Sequence, residues 1–178
     1  FCLSRGLGDV YKRQIVNFLL STGIRQNSLI NIKIKDLDFD NDMVYINTTK
    51  NRKSLIIPLN EDIVKILHEY LKYRGGGSED WLFCSIYGEK MTKGANYTAL
   101  WDYSHSRGLD KTGVHRYRHT FAKKWVTMGG SIVTLQKILG HSSLAITEGY
   151  LNMLTTDLKK DMNEINIIRS CLLYTSPS

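Results

Sequence analysis

The chain has 178 residues, 42% hydrophobic and 23% charged, which suits one globular domain with a real core and is too short for two large ones. Its 24 Lys and Arg outweigh 17 Asp and Glu, and the net charge of +7 favours a polyanionic partner. No apolar run approaches the roughly 20 residues of a membrane span. The amino end lacks a signal-peptide layout, and cysteines at 2, 84 and 171 form neither a metal-ligand spacing nor an even framework, so a reducing, cytoplasmic compartment fits.

Both ends read as foreign. FCLSRGLGDVYKRQ (1–14) and SCLLYTSPS (170–178) show no clear periodicity and look like translated adapter or vector sequence, so 15–169 is taken as the domain. IVNFLLSTG (15–23) reads as the end of a buried helix stopped by Gly23, and IRQNSLINI (24–32) as a short second helix. From 36 to 59 the pattern changes. FDND and KNRK separate the short runs DLDF, MVYINT and SLIIPL, which predicts a three-stranded antiparallel sheet ended by Pro58.

Helical spacing returns over 61–75, with Ile63, Ile66, Leu67, Tyr70 and Leu71 on one face. GGGSED (75–80) is a loop, and with no Gly-Lys-Ser/Thr after it, it is not a nucleotide-binding phosphate loop. Cys84 reads as a small core residue. Further helices are expected near 95–107 and over 114–128, 131–139, 143–151 and 154–165, broken by the glycines at 129–130 and 140. The fold class is therefore α+β, mainly α-helical, with a small three-stranded antiparallel sheet.

The chemistry concentrates in VHRYRHTFAKKW (114–125). On a helix His115 and Arg118 share a face, with His119 close by. Such a run can be an ordinary solvated basic face. It can equally grip one phosphate, since a guanidinium holds two oxygens at once and an imidazole adds a donor or proton shuttle. His141 follows Gly140, where a tight turn can aim it, and Tyr150 comes nine residues later. Arg25 starts a helix just after a glycine break, and Lys50 sits at a hairpin turn, where a lysine is commonly a solvating charge.

Taken together, TGIRQNSL, TKNRKSLIIPL, HRYRHTFA, LGHSSLAIT and the tyrosine after it strongly resemble the catalytic domain of tyrosine recombinases of the phage-integrase type, over about 15–168. The spacing carries the resemblance: His-x-x-Arg, Gly-His ending 23 residues after Arg118, and Tyr nine after His141. The resemblance implies that Arg25 and Arg118 clamp a scissile phosphate and that His115 and His141 bind it and manage protons. It further implies that Tyr150 is the nucleophile and Lys50 the general acid. His119 would be supporting structure rather than a catalyst. Arg52, Lys53, Lys123 and Lys124 are candidates for contacts to the DNA backbone, though each is also ordinary as solvated charge.

The family's usual glutamate three residues after the first arginine is Ser28 here, and Arg116, often apolar or acidic in relatives, is expected to be exposed. The resemblance implies double-stranded DNA as partner, no cofactor, no metal, no nucleotide and no membrane. It also implies that an amino-terminal DNA-clamping domain is missing and that the protein assembles as a homo-tetramer in a DNA synapse. Leu154, Leu158, Met162 and Ile165 form an apolar stripe that either packs on its own domain or docks on a neighbouring protomer. Three functions stay open: a site-specific recombinase or integrase of a mobile element, a non-catalytic DNA-binding relic, or a monomeric relaxing topoisomerase.

Overall fold

The computed structural model describes residues 5–47, 54–85, 87–110, 112–141 and 143–150. Lys50, Arg52 and Lys53, the KNRK turn, the expected helix over 154–165 and the tail from 170 all lie outside these residues.

The first helix, α1, spans Arg5–Thr22 and forms the middle of the domain, packing against α3 (Glu61–Arg74), α4 (Lys93–His105) and α5 (Val114–Thr127). The sequence reading set 1–14 aside from the fold; the structure instead carries the helix back to Arg5 and buries Tyr11 and Gln14. The reason is visible in the spacing. Tyr11, Ile15, Phe18, Leu19 and Thr22 fall on one helical face, and all are buried. Tyr11 meets the rings of Tyr70 and Phe83 and donates its hydroxyl hydrogen to the Cys84 carbonyl. Cys84 is half-buried rather than fully interior.

The second helix is shorter than expected. α2 covers Gln26–Leu29 only, and Arg25 caps it in an extended conformation. The sheet follows the predicted order, with β1 (Leu37–Asp38) and β3 (Ser54–Pro58) on either side of β2 (Met43–Asn47), both antiparallel to it. Val44 pairs with Ile57, and both face the core with Ile46. The β1–β2 turn is held by the Asp38 carboxylate, which accepts from the Asp40 and Asn41 backbone and from the Asn41 side chain. Those bonds lower its pKa, the Asn41 side chain most.

Helix boundaries have local causes. α3 is capped by Asn60, whose side chain accepts from the Ile63 amide at 2.9 Å, and it carries Glu61 and Asp62 in its first turn and Lys72 and Arg74 in its last. Thr92 caps α4 in the same way. α6 (Ile132–Leu139) is capped by Ser131 and ends at Gly140 in the left-handed region, φ 59°. Residues 144–150 form a further helix, α7.

One buried side chain is at odds with its surroundings. Asn96 on α4 is fully buried, and neither amide atom has a hydrogen-bond partner among the described residues. Asn96→Leu should therefore stabilise the domain by about 1–3 kcal/mol, because it removes the orphaned amide and keeps the site filled. The free energy from urea unfolding checks this, and a loss of stability would show that the amide is satisfied in solution.

Candidate active site

The site is assembled at three helix ends. α1 stops at Thr22 and the chain turns at Gly23, φ 60°, where a β-carbon would run into the Phe121 ring. That tight turn brings Arg25 out at the start of α2. Across from it, the left-handed Gly140 ends α6 and directs His141 back toward the same place. α5 supplies Arg118 between them, and α7 supplies Thr147 and Tyr150.

Arg118 is buried, with 6% of its surface exposed. Its Nη1 donates to the Gly23 carbonyl at 2.7 Å, and its Nη2 donates to the Leu139 carbonyl at 2.7 Å. The guanidinium thus ties the end of α1 to the end of α6, where unpaired carbonyls carry partial negative charge. Arg25 makes a parallel tie from the exposed side, with Nη2 donating to the Gly140 carbonyl at 3.2 Å. Burial lowers the Arg118 pKa to about 10, with the Arg25 charge adding to the effect, and it stays protonated at neutral pH.

His141 is held on both sides. Arg118 Nη2 lies 2.9 Å from its Nε2, and Thr147 Oγ1 lies 2.9 Å from its Nδ1. An arginine only donates, so Nε2 accepts, and the ring proton of the neutral imidazole sits on Nδ1 and is given to Thr147. Burial first, then Arg118 and Arg25, push the His141 pKa down to about 4. The folded protein therefore refuses a proton that the unfolded chain takes up near its ordinary value of 6.5. His141 accordingly contributes stability that is full above pH 6.5 and is lost as pH falls toward 4. Screening of this half-buried ring brings the effect to roughly 1–2 kcal/mol. Urea unfolding of the wild type and His141→Gln across this range should show the steeper acid loss in the wild type.

Tyr150 is 7% exposed, and burial raises its pKa while Arg118 pulls it down. Its hydroxyl lies 3.0 Å from Nδ1 of His119, one residue beyond Arg118, with the two rings 5.6 Å apart. His119, expected as supporting structure, is in direct contact with the tyrosine oxygen. His115 stands exposed in the first turn of α5, three residues before Arg118, and Arg116 is exposed as expected. Lys123 and Lys124 are also exposed on α5.

The structure therefore brings Arg25, Arg118, His141 and Tyr150 to one place, and it shows no contact between His115 and these four among the described residues. Sequence reasoning missed Thr147, which is fully buried. Its signal was present: a polar residue three before Tyr150 shares that residue's helical face. Among the described residues no His, Cys, Asp and Glu side chains cluster to hold a metal ion, and no helix is long and apolar enough to cross a membrane.

This fold has known counterparts. The phage integrase family matches residues 3–156, and the chain belongs to it. The tyrosine recombinase XerA of Saccharolobus solfataricus is 33% identical over 147 residues, covering 83% of this chain and 47% of that protein. The crystal structure of a XerA recombinase superposes with a TM-score of 0.76 at 28% identity, over 93% of this chain and 64% of that one. A XerH site-specific recombinase bound to its difH substrate, a pre-cleavage complex, gives a TM-score of 0.71 at 27% identity, over 84% of this chain and 45% of that one. The chain spans about half the length of the curated relatives it matches. The mainly helical architecture with its small antiparallel sheet is the fold of these catalytic domains.

Proposed function

We propose that this chain is the catalytic part of a site-specific recombinase or integrase that cuts and rejoins duplex DNA through a 3′-phosphotyrosyl intermediate. The observation that carries the reading is the meeting of two arginines, a histidine and a tyrosine drawn from α1–α2, α5, α6–α7 and α7.

The chemistry calls for such a set. A phosphodiester is anionic, and attack on phosphorus adds negative charge to its equatorial oxygens. Arg25 and Arg118, fixed beforehand on backbone carbonyls, stabilise that charge more in the transition state than in the ground state. His141 is kept neutral with both ring nitrogens engaged, so its role is to fix the Arg118 fork. His115 adds a donor to the phosphate. Tyr150 attacks, the bond to the 5′ oxygen breaks, and Lys50 supplies the proton that oxygen needs to leave. The ester linkage conserves the bond energy, so a 5′ hydroxyl of another strand can reseal it. The two guanidinium groups do here what a metal ion does elsewhere, so the reaction we propose runs without one. Lys123, Lys124, Arg52 and Lys53 would contact the DNA backbone.

Double-stranded DNA is the partner in this reading, and the working form is a tetramer in a synapse, with the carboxy-terminal stripe from Leu154 to Ile165 exchanged between protomers. The origin is a phage or other mobile element, and the site of action is the cytoplasm. A duplex nicked just past the cleavage point tests the reaction. The short strand should leave with the free 5′ hydroxyl, which traps the protein on the 3′ phosphate. Exchange between two duplexes supports a recombinase, whereas loss of supercoils without exchange supports a relaxing topoisomerase. No adduct at all, with DNA still bound, supports a non-catalytic relic.

A further inference from the structure

We infer that His119 is the base that takes the hydroxyl proton of Tyr150 when the phenol attacks phosphorus. The inference rests on the DNA-cleavage reading above and names a catalytic residue within it. The Tyr150 oxygen and His119 Nδ1 are 3.0 Å apart, a hydrogen-bond distance along which a proton can pass. Nδ1 accepts only if the ring proton is on Nε2, and the ring as a whole is exposed. A proton gained at Nδ1 makes an imidazolium, which holds that proton until rejoining.

His141 is not available for this task. Its Nε2 faces the Arg118 guanidinium and its Nδ1 faces Thr147, so both nitrogens are engaged. Burial and two arginines also keep it a poor proton acceptor at neutral pH. His115 lies one turn before His119 on α5, and the phenol's hydrogen bond goes to His119. Tyr150 in turn needs a base, because burial holds its hydroxyl in the protonated form.

The step balances. The Tyr150 O–H proton moves to His119 Nδ1, and a lone pair of the phenolate oxygen forms the bond to phosphorus. The bond from phosphorus to the 5′ oxygen breaks, and that oxygen is protonated by Lys50. In rejoining, the imidazolium returns a proton to the departing phenolate. Arg118 is the charge that acts on the phenol; His115 and Lys123 stand one turn to either side of His119 on α5, and Glu148 lies on the same helix as Tyr150.

The test is the rate of adduct formation by the 178-residue chain on the nicked duplex, in single turnover at saturating protein, from about pH 5 to 9. His119→Gln keeps an oxygen that can accept the phenol's hydrogen bond and cannot take its proton. The expected result is a rate lower by roughly 10²–10⁴-fold. The acid limb of the wild-type profile should disappear, and imidazole in solution should restore part of the rate in His119→Ala. A His119→Gln rate close to wild type with the same acid limb overturns the inference and leaves the cleavage reading standing. So does a variant faster than wild type, which would mean that His119 restrains the phenol. A wild-type chain that forms no adduct overturns the cleavage reading and this inference with it.

Discussion

Tyr150→Phe should remove the covalent DNA adduct expected of the proposed reaction while leaving the fold in place. The phenylalanine ring keeps every apolar contact of a side chain only 7% exposed, and the change removes one oxygen and its hydrogen bond to His119. The loss of stability should therefore stay within about 1 kcal/mol. The loss of adduct should be roughly 10⁴-fold or more, because the variant lacks the phenol oxygen that forms the ester. Denaturing gels of the nicked-duplex reaction measure the second effect and urea unfolding the first. The chain has 10 tyrosines. An adduct that survives Tyr150→Phe would place the nucleophile on another of them and remove the centre of the proposed reaction.

Much of this site was legible in the sequence because its residues stand at breaks in helical periodicity. Gly23 before Arg25 and Gly140 before His141 announce turns that aim the next polar side chain, and both turns form. The sheet was legible for a similar reason, since FDND can be closed by an aspartate accepting backbone hydrogens, as Asp38 does. What the sequence did not disclose is which partner each polar group finds. Arg118 reads as a phosphate clamp, yet both its Nη atoms are engaged with main-chain carbonyls, which have no signature in residue type. His119 reads as a neighbour of the important arginine, and only the placement of α7 against α5 puts it on the tyrosine oxygen. The start of α1 was misread because Gly6 and Gly8 hide the periodicity that begins at Tyr11. α2 fell short of its expected span because the chain turns after Leu29 to reach β1.

The two arginines should separate when each is replaced, although they serve one phosphate. Arg118→Ala leaves the Gly23 and Leu139 carbonyls and His141 Nε2 without their donor in a buried place. Against this, it relieves the cost of burying a charge beside Arg25, the cost already expressed in the lowered Arg118 pKa. The orphaned acceptors outweigh that relief, and the net loss of stability should be about 1–3 kcal/mol. Arg25→Ala gives up one 3.2 Å bond on an exposed side chain and removes a charge that repels Arg118, so its effect on stability should stay within about 0.5 kcal/mol. Cleavage should fall alike in both, by roughly 10²–10³-fold, since each removes a donor aimed at the same developing charge. Arg118→Lys should rescue little of either property, because an ammonium cannot reach two carbonyls and an imidazole as the planar fork does. Single-turnover cleavage and urea unfolding on the three variants give the comparison. If Arg25→Ala destabilises the domain as much as Arg118→Ala does, Arg25 is a structural tie and the phosphate clamp loses half of its charge.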